Sequence, residues 1–169
     1  MRGLMEENLN EMKTLQETIT RLKTRVSELE DQIEQAPLPI IPSVVPNTLL
    51  VPFAGVLSSE RFQMFIPQIL DYAGRTPTDS AIIDFTAISM DNVEDLQVLG
   101  QHLKDLIAAL NLMGVDVLIV GFAPQFARVM VQSALSLVNE INAFSNFKTA
   151  LEFLLKKKGL AITEVNSDL

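Results

Sequence analysis

The chain has no cysteine, a single histidine and few positive charges, and each scarcity excludes a class of chemistry. Without cysteine there can be no disulfide, no thiolate metal ligand and no thiol nucleophile. A histidine metal cage or a Ser-His-Asp triad would depend on His102 alone. The net charge of −8 argues against nucleic acid or an anionic membrane as a partner, because both favour clustered Lys and Arg. We therefore expect a protein that is not an enzyme and has no catalytic residue, metal site or cofactor.

Long apolar runs are also missing. No segment approaches the ~18 consecutive apolar residues of a membrane helix, and no charged-then-apolar leader is present. We therefore expect a soluble, unexported, cytoplasmic protein without membrane insertion. With 169 residues, 48% of them apolar, the chain can bury one core of medium size.

Within a predicted helix over 1–36, residues 5–33 carry a heptad repeat, in which apolar side chains recur every ~3.5 residues. A lone helix cannot bury such a seam, and β-branched residues at position a with Leu at position d favour two parallel strands. We predict a coiled-coil helix that forms a homodimer, with Arg25 and Glu30 pairing between chains. The alternative is an amphipathic helix packed on its own domain. The predicted seam consists of Met5, Met12, Leu15, Ile19, Leu22, Val26, Leu29 and Ile33.

Four prolines follow within residues 37–47, where each removes a backbone donor and disfavours helix in the residue before it. This segment is predicted to be a stiff hinge leading into an extended edge strand, where proline is tolerated. From residue 48 onward strand and helix patterns alternate, which predicts an α/β layer structure with parallel pairings. The predicted strands are 48–55, 80–85 and 115–122, the helices begin near 58, 92, 124 and 145, and 160–169 is a loose tail.

The stretch IIDFTAISMDNVEDLQVLGQHL, residues 82–103, joins an apolar strand ending at Asp84 to a polar turn and a helix opening near Asn92. It resembles the phosphoacceptor turn of STAS domains, the fold shared by anti-sigma factor antagonists and the cytoplasmic tails of sulfate transporters. The closer resemblance is to the RsbR-type subgroup, the scaffold and sensor proteins of the bacterial stressosome. Its marks are PIIP at 39–42, LVPFAGVLSSERF at 50–62, IIDFT at 82–86, LMGVDVLIVGFAPQFA at 112–127 and SNFKTALEFL at 145–154.

This resemblance implies an α/β fold in which a STAS (anti-sigma factor antagonist-like) domain, a mixed sheet flanked by helices, occupies residues 48–159 behind the coiled-coil helix. It also implies partners: other STAS-domain proteins and a switch kinase of the histidine-kinase-like fold. The turn that would dock them contains Asp84, Thr86, Ser89, Asn92 and Glu94. We expect Asp84 to hold this turn by accepting backbone hydrogen bonds.

The two phosphoacceptor positions that the resemblance implies are both apolar in this chain. The first, nine residues after Asp84, is Val93, and the second, five residues after Pro124, is Val129. A valine side chain cannot accept phosphate, so we predict degenerate acceptor positions, with phosphorylation of Ser89 as a remaining option. The expected function is a non-enzymatic scaffold in stress or sigma-factor signalling. The alternatives are a self-assembling structural protein, larger than a dimer, and a small-molecule sensor.

Other polar residues have simpler explanations than chemistry. Glu94 and Asp95 are read as first-turn carboxylates that favour the helix dipole, because adjacent helix positions point about 100° apart. His102 is expected on a partly exposed helix surface. Three lysines, 156–158, are expected to favour the C-terminus of the last helix.

Overall fold

In the computed structural model, which describes residues 1–89, 95–132 and 141–165, the chain divides into two compact units, Met1–Pro37 and Leu38–Leu169. Within these ranges no helix is both long and apolar enough to cross a membrane.

The first unit consists of one long helix, α1 (Arg2–Glu34), which confirms the predicted N-terminal helix. Its heptad pattern leaves the apolar seam in solvent: Met5 is 75% exposed and Leu29, the least exposed seam residue described, is 42% exposed. The side chain of Ile33 lies outside the described part of the chain. Arg25 pairs with Glu28 of its own helix at 3.1 Å, whereas the predicted pairing was with Glu30 of a second chain.

The second unit is built on a mixed sheet. The described residues form five strands in the order in which they follow along the chain, and all neighbouring pairs are parallel except the antiparallel first pair. The predicted strand at 48–55 is confirmed residue for residue, whereas the three-residue strand β5 was not predicted. The strands are β1 (Ile41–Pro42), β2 (Thr48–Gly55), β3 (Ser80–Ile88), β4 (Asp116–Val120) and β5 (Asn142–Phe144).

In the described part of this unit, four helices cover the sheet: α2 (Ser59–Arg75), α3 (Leu96–Leu112), α4 (Pro124–Gln132) and α5 (Phe147–Lys157). Because side chains alternate along a strand, β2 sends Leu49 and Val51 into the core beneath α2, α3 and α4. Leu50 contacts the smaller cluster under α5, on the opposite face. All strands except β1 are parallel, so their carboxyl ends lie at one edge of the sheet, where α/β proteins gather their binding sites.

Several predicted boundaries are wrong. The strand predicted over 80–85 continues to Ile88, because its last residues pair with Ala54 and Gly55 of β2. The helix predicted to open near Asn92 begins at Leu96, with Asp95 as its N-cap. Asn146, rather than Ser145, caps α5. Of the two serines that could cap α2, Ser58 and Ser59, it is Ser58 that does so.

Candidate docking site

A bulge in β3 begins the predicted docking turn. Pro52 lies opposite Asp84 in the β2–β3 ladder, but Ala54 lies opposite Ala87, so Phe85 and Thr86 together face the single residue Phe53. Oδ1 of Asp84 accepts a hydrogen bond from the Thr86 backbone N–H at 2.8 Å. The carboxylate therefore supports the extra residue of the bulge, in agreement with the expected role of Asp84. Bulges of this kind are common beside functional sites because they redirect the end of a strand.

Beneath the bulge, Phe85 anchors the turn to the core. Its ring lies 5.2 Å from the ring of Phe53 on β2 and 5.5 Å from that of Phe122, which follows β4. Phe126 of α4 contacts both Phe85 and Phe122, with ring centroids 6.2 and 4.9 Å apart. Aromatic pairs at such distances stabilise beyond the area they bury. The rings therefore connect β2, β3 and α4 directly below the carboxyl edge of the sheet.

The loop after β2 forms the neighbouring wall of this edge. Arg61 of α2 donates from Nη1 to the carbonyls of Val56 at 2.7 Å and Ala54 at 3.1 Å. Its guanidinium also lies over the Phe65 ring, 5.1 Å from the centroid. Sequence reasoning missed this role, because a lone arginine in a first helical turn carries no signal that it will bind a preceding loop.

The structure describes some of the predicted docking residues and not others. Asp84 is half-buried, whereas Thr86 and Ser89 are exposed at the carboxyl end of β3. Asn92, Glu94 and the acceptor-equivalent Val93 lie outside the described residues, and so does the side chain of Val129, which belongs to α4. The structure therefore brings Asp84, Thr86 and Ser89 to one edge.

The interpretation of Glu94 and Asp95 as carboxylates in the first turn of a helix is wrong for Asp95. It is the N-cap of α3, and Oδ1 of its side chain accepts from the backbone N–H groups of Gln97 at 3.0 Å and Val98 at 3.1 Å. A capping carboxylate satisfies donors that the first turn of a helix leaves unpaired. Asp95 is thus held in a structural contact at the start of α3.

The lysines at the end of α5 form ion pairs at the opposite edge of the sheet. Lys157 contacts Asp116 at 2.6 Å, and Lys158 contacts Asp79 at 2.5 Å and the Pro46 carbonyl at 2.6 Å. Partial burial would raise the pKa of Asp79, but hydrogen bonds from Lys158, Ser80 and Asn47 and the lysine charge together keep that pKa below its ordinary value. The prediction had assigned these lysines only to the helix dipole.

His102 is half-buried on α3, as expected for a partly exposed surface. Its Nε2 lies 3.0 Å from Nε2 of Gln63 on α2, so the ring takes part in contacts between these two helices. The described ranges contain no cluster of three or more His, Cys, Asp or Glu side chains that could hold a metal ion.

No family model matches the chain, but comparison with curated proteins gives relatives over most of its length. The chain is 26% identical over 122 residues to a blue-light photoreceptor of Listeria monocytogenes, covering 72% of this chain and 46% of the photoreceptor. It is 28% identical over 131 residues to the RsbT co-antagonist protein RsbRB of Bacillus subtilis, covering 78% and 45%. The chain thus spans about half the length of the curated relatives it matches.

Solved structures agree on the fold. A variant of RsbS from Moorella thermoacetica matches with a TM-score of 0.61 at 18% identity, over 74% of this chain and all of that one. A stressosome structure matches with a TM-score of 0.57 at 18% identity, over 71% of this chain and 98% of that one. Leu38–Leu169 therefore has the STAS fold of the anti-sigma factor antagonists, behind a long N-terminal helix, and the chain resembles the RsbR-type proteins of the stressosome.

Proposed function

We propose that this chain is a non-enzymatic scaffold of bacterial stress or sigma-factor signalling that acts in the cytoplasm. Two copies pair through α1, and the turn at the carboxyl end of β3 docks other STAS proteins. The observation that carries the proposal is the exposed apolar seam of α1 in a chain whose other unit has the STAS fold. A scaffold needs a device that joins copies and a surface that binds partners, and these two features match those needs.

Charge supports a second copy of this chain as the occupant of the seam. In a parallel, in-register pair, Arg25 faces Glu30 of the other helix, Glu11 faces Gln16 and Thr18 faces Lys23. None of these flanking pairs joins like charges, so nothing along this part of the seam opposes the pairing. Exposed ion pairs are worth less than about 1 kcal/mol, and the free energy of association would come mainly from the buried seam.

The switch kinase of the histidine-kinase-like fold is a further proposed partner. We expect that it would not phosphorylate this chain at the usual acceptor positions. Val93 and Val129 stand at the acceptor-equivalent positions and carry no hydroxyl. The protein would then remain in one state while STAS partners that carry a hydroxyl are modified. The chain would therefore act as a constitutive scaffold, or it would sequester the kinase without being phosphorylated.

Mass measurements test both parts of the proposal. By light scattering we expect a dimer for the full chain and a monomer for residues 37–169, because the truncation removes the seam. After incubation with the kinase and ATP, the mass of the full chain should stay unchanged, whereas Val93→Ser should gain one phosphate.

Two results would contradict the proposal. A phosphate on the unmodified chain would disprove the degenerate acceptor positions and direct attention to Ser89. A particle far larger than a dimer that persists in the 37–169 truncation would favour the self-assembling structural protein instead.

A further inference from the structure

Gly121, which follows β4, lies against the docking turn so closely that no side chain fits. A Cβ built on this residue would lie 2.4 Å from Oγ1 of Thr86, 2.7 Å from its backbone N and 2.8 Å from its Cα. Real Cβ atoms do not approach other heavy atoms this closely, so an added methyl group would force one of the two segments to move. The backbone φ of Gly121 is +75°, which also favours glycine.

The contact involves the backbone of Thr86, so changing the Thr86 side chain cannot relieve it. Thr86 is also restrained through its backbone N–H, which donates to Asp84. Gly121 is restrained in turn, since its own N–H donates to the Phe144 carbonyl of β5 at 3.3 Å. Each partner in the contact is therefore held by a second attachment, and neither can move away freely.

The residues next to this contact extend it into α4. Phe85 precedes Thr86, Phe122 follows Gly121, and their rings contact each other and Phe126 of α4. In each segment, the residue that makes the backbone contact is therefore adjacent in sequence to a residue that makes the ring contacts. A displacement of the start of α4 would press on the docking turn through two neighbouring residues.

We propose that Gly121 is a positioning residue that couples the docking turn to α4, so that the two segments move as one unit. The proposal rests on the proposed function only in taking the turn at Thr86–Ser89 as the partner-docking surface. Coupling between two sites is reciprocal. A partner that shifts the turn therefore shifts α4, and a partner on α4, the helix that contains Val129, shifts the turn.

The contact can be measured first in the unmodified protein by NMR. One α-proton of Gly121 points along the bond that a Cβ would occupy, toward the Thr86 amide. We expect a strong nuclear Overhauser cross peak between that α-proton and the Thr86 amide proton. Its absence would overturn the proposal, whatever substitutions at Gly121 do.

Amide hydrogen exchange of Gly121→Ala then tests the coupling. Overpacking predicts exchange about tenfold or more faster at residues 86–88 and 122–127, with little change at residues 151–155 of α5. The matched control is Gly114→Ala: its φ is +79°, close to that of Gly121, but no atom lies within 4 Å of the added Cβ. Equal acceleration in all three segments, or the same pattern in the control, would mean that Gly121→Ala acts only by lowering the overall stability. Either result would refute the proposal.

Binding to a purified RsbS-type STAS protein separates this inference from the proposed function. Local acceleration in Gly121→Ala together with weaker binding supports both. Local acceleration with unchanged binding supports the coupling and contradicts docking at the turn. Unchanged exchange at 86–88 contradicts the coupling whatever the affinity.

Discussion

The seam of α1 and the core of the globular unit contain similar kinds of side chain in opposite surroundings. The described seam residues are between 42% and 75% exposed, whereas Phe53, Phe62, Phe85 and Phe126 are at most 2% exposed. Both sets follow from amphipathic patterns in the sequence. The difference is that the sheet of the same unit covers the apolar sides of α2, α3 and α4, while the seam of α1 stays exposed.

This contrast shows what an amphipathic pattern determines. The pattern determines which side of a helix or strand is apolar and favours burial. The rest of the chain determines whether that side is buried within the same chain or against another molecule. An exposed Leu in water forgoes about 1.5–3 kcal/mol that burial would supply, so a seam of several such residues strongly favours association. Substitutions in the two regions should therefore affect different observables: unfolding in one and assembly in the other.

The largest expected effect is in the core. Phe85→Ala should lower the free energy of unfolding of the globular unit by about 3–5 kcal/mol, because it leaves a cavity between β2 and α4. Chemical denaturation measures this loss. Phe153→Ala is the control, since Phe153 is 37% exposed and should cost clearly less. Equal losses would mean that the aromatic contacts beneath the turn do not determine stability.

An intermediate effect is expected in the seam. Leu22→Glu places a carboxylate in the proposed dimer interface of each chain and should weaken association by about 2–4 kcal/mol. Sedimentation equilibrium should show a shift toward monomer while the unfolding midpoint of the globular unit stays the same. Thr20→Glu, on the polar side of α1, should leave the dimer intact. A dimer that survives Leu22→Glu would exclude the seam as the interface.

The smallest effect is expected at the ion pair between Lys158 and Asp79. Lys158→Met should destabilise the globular unit by no more than about 1 kcal/mol at neutral pH, because the Asp79 side chain is half-exposed and screened. Lys156→Met, on the exposed side of the same turn, is the control. Thermal unfolding of the two variants gives the comparison.

The pH dependence of this ion pair follows from the lowered pKa of Asp79. A carboxyl whose folded pKa lies below its unfolded value stabilises the fold above the unfolded pKa of about 3.9, and this contribution is lost as the pH falls through the folded pKa. In the unmodified protein that part of the stability should disappear below about pH 4. Asp79→Asn should remove this acid-dependent component. An unchanged acid profile would exclude Asp79 as its source.

Local patterns predicted most of the fold. The strand at 48–55 was correct in every residue because TLLVPFAG is an apolar run that follows a proline-rich segment and ends in glycine. The strand β5 was missed because Asn142–Phe144 has no alternation of its own, and its pairing with Leu118–Val120 stabilises it. The end of β3 was wrong for a related reason: its last residues are held by Ala54 and Gly55, which are more than 30 positions earlier in the chain.

The site was predictable only where a neighbour in sequence defines the contact. The role of Asp84 was expected from the resemblance to STAS domains, and its partner Thr86 lies only two residues away. The contact of Lys158 with Asp79 spans 79 residues, and no periodicity reports such a distance. The approach of Gly121 to Thr86 depends on how β4 lies beside β3, so the sequence GFAP indicated a helix start and nothing of the turn it touches.

The prolines around β1 have a consequence for a tethered pair. Joining two copies through a coil raises the effective concentration of one globular unit near the other to the order of millimolar, where open sheet edges can join irreversibly. The edge strand β1 consists of Ile41 and Pro42 alone, and Pro39 and Pro46 flank it. Proline has no N–H to donate, so this edge cannot template further strands. In the proposed dimer, the predicted hinge would thus also keep β1 of one copy from pairing with an open sheet edge of the other.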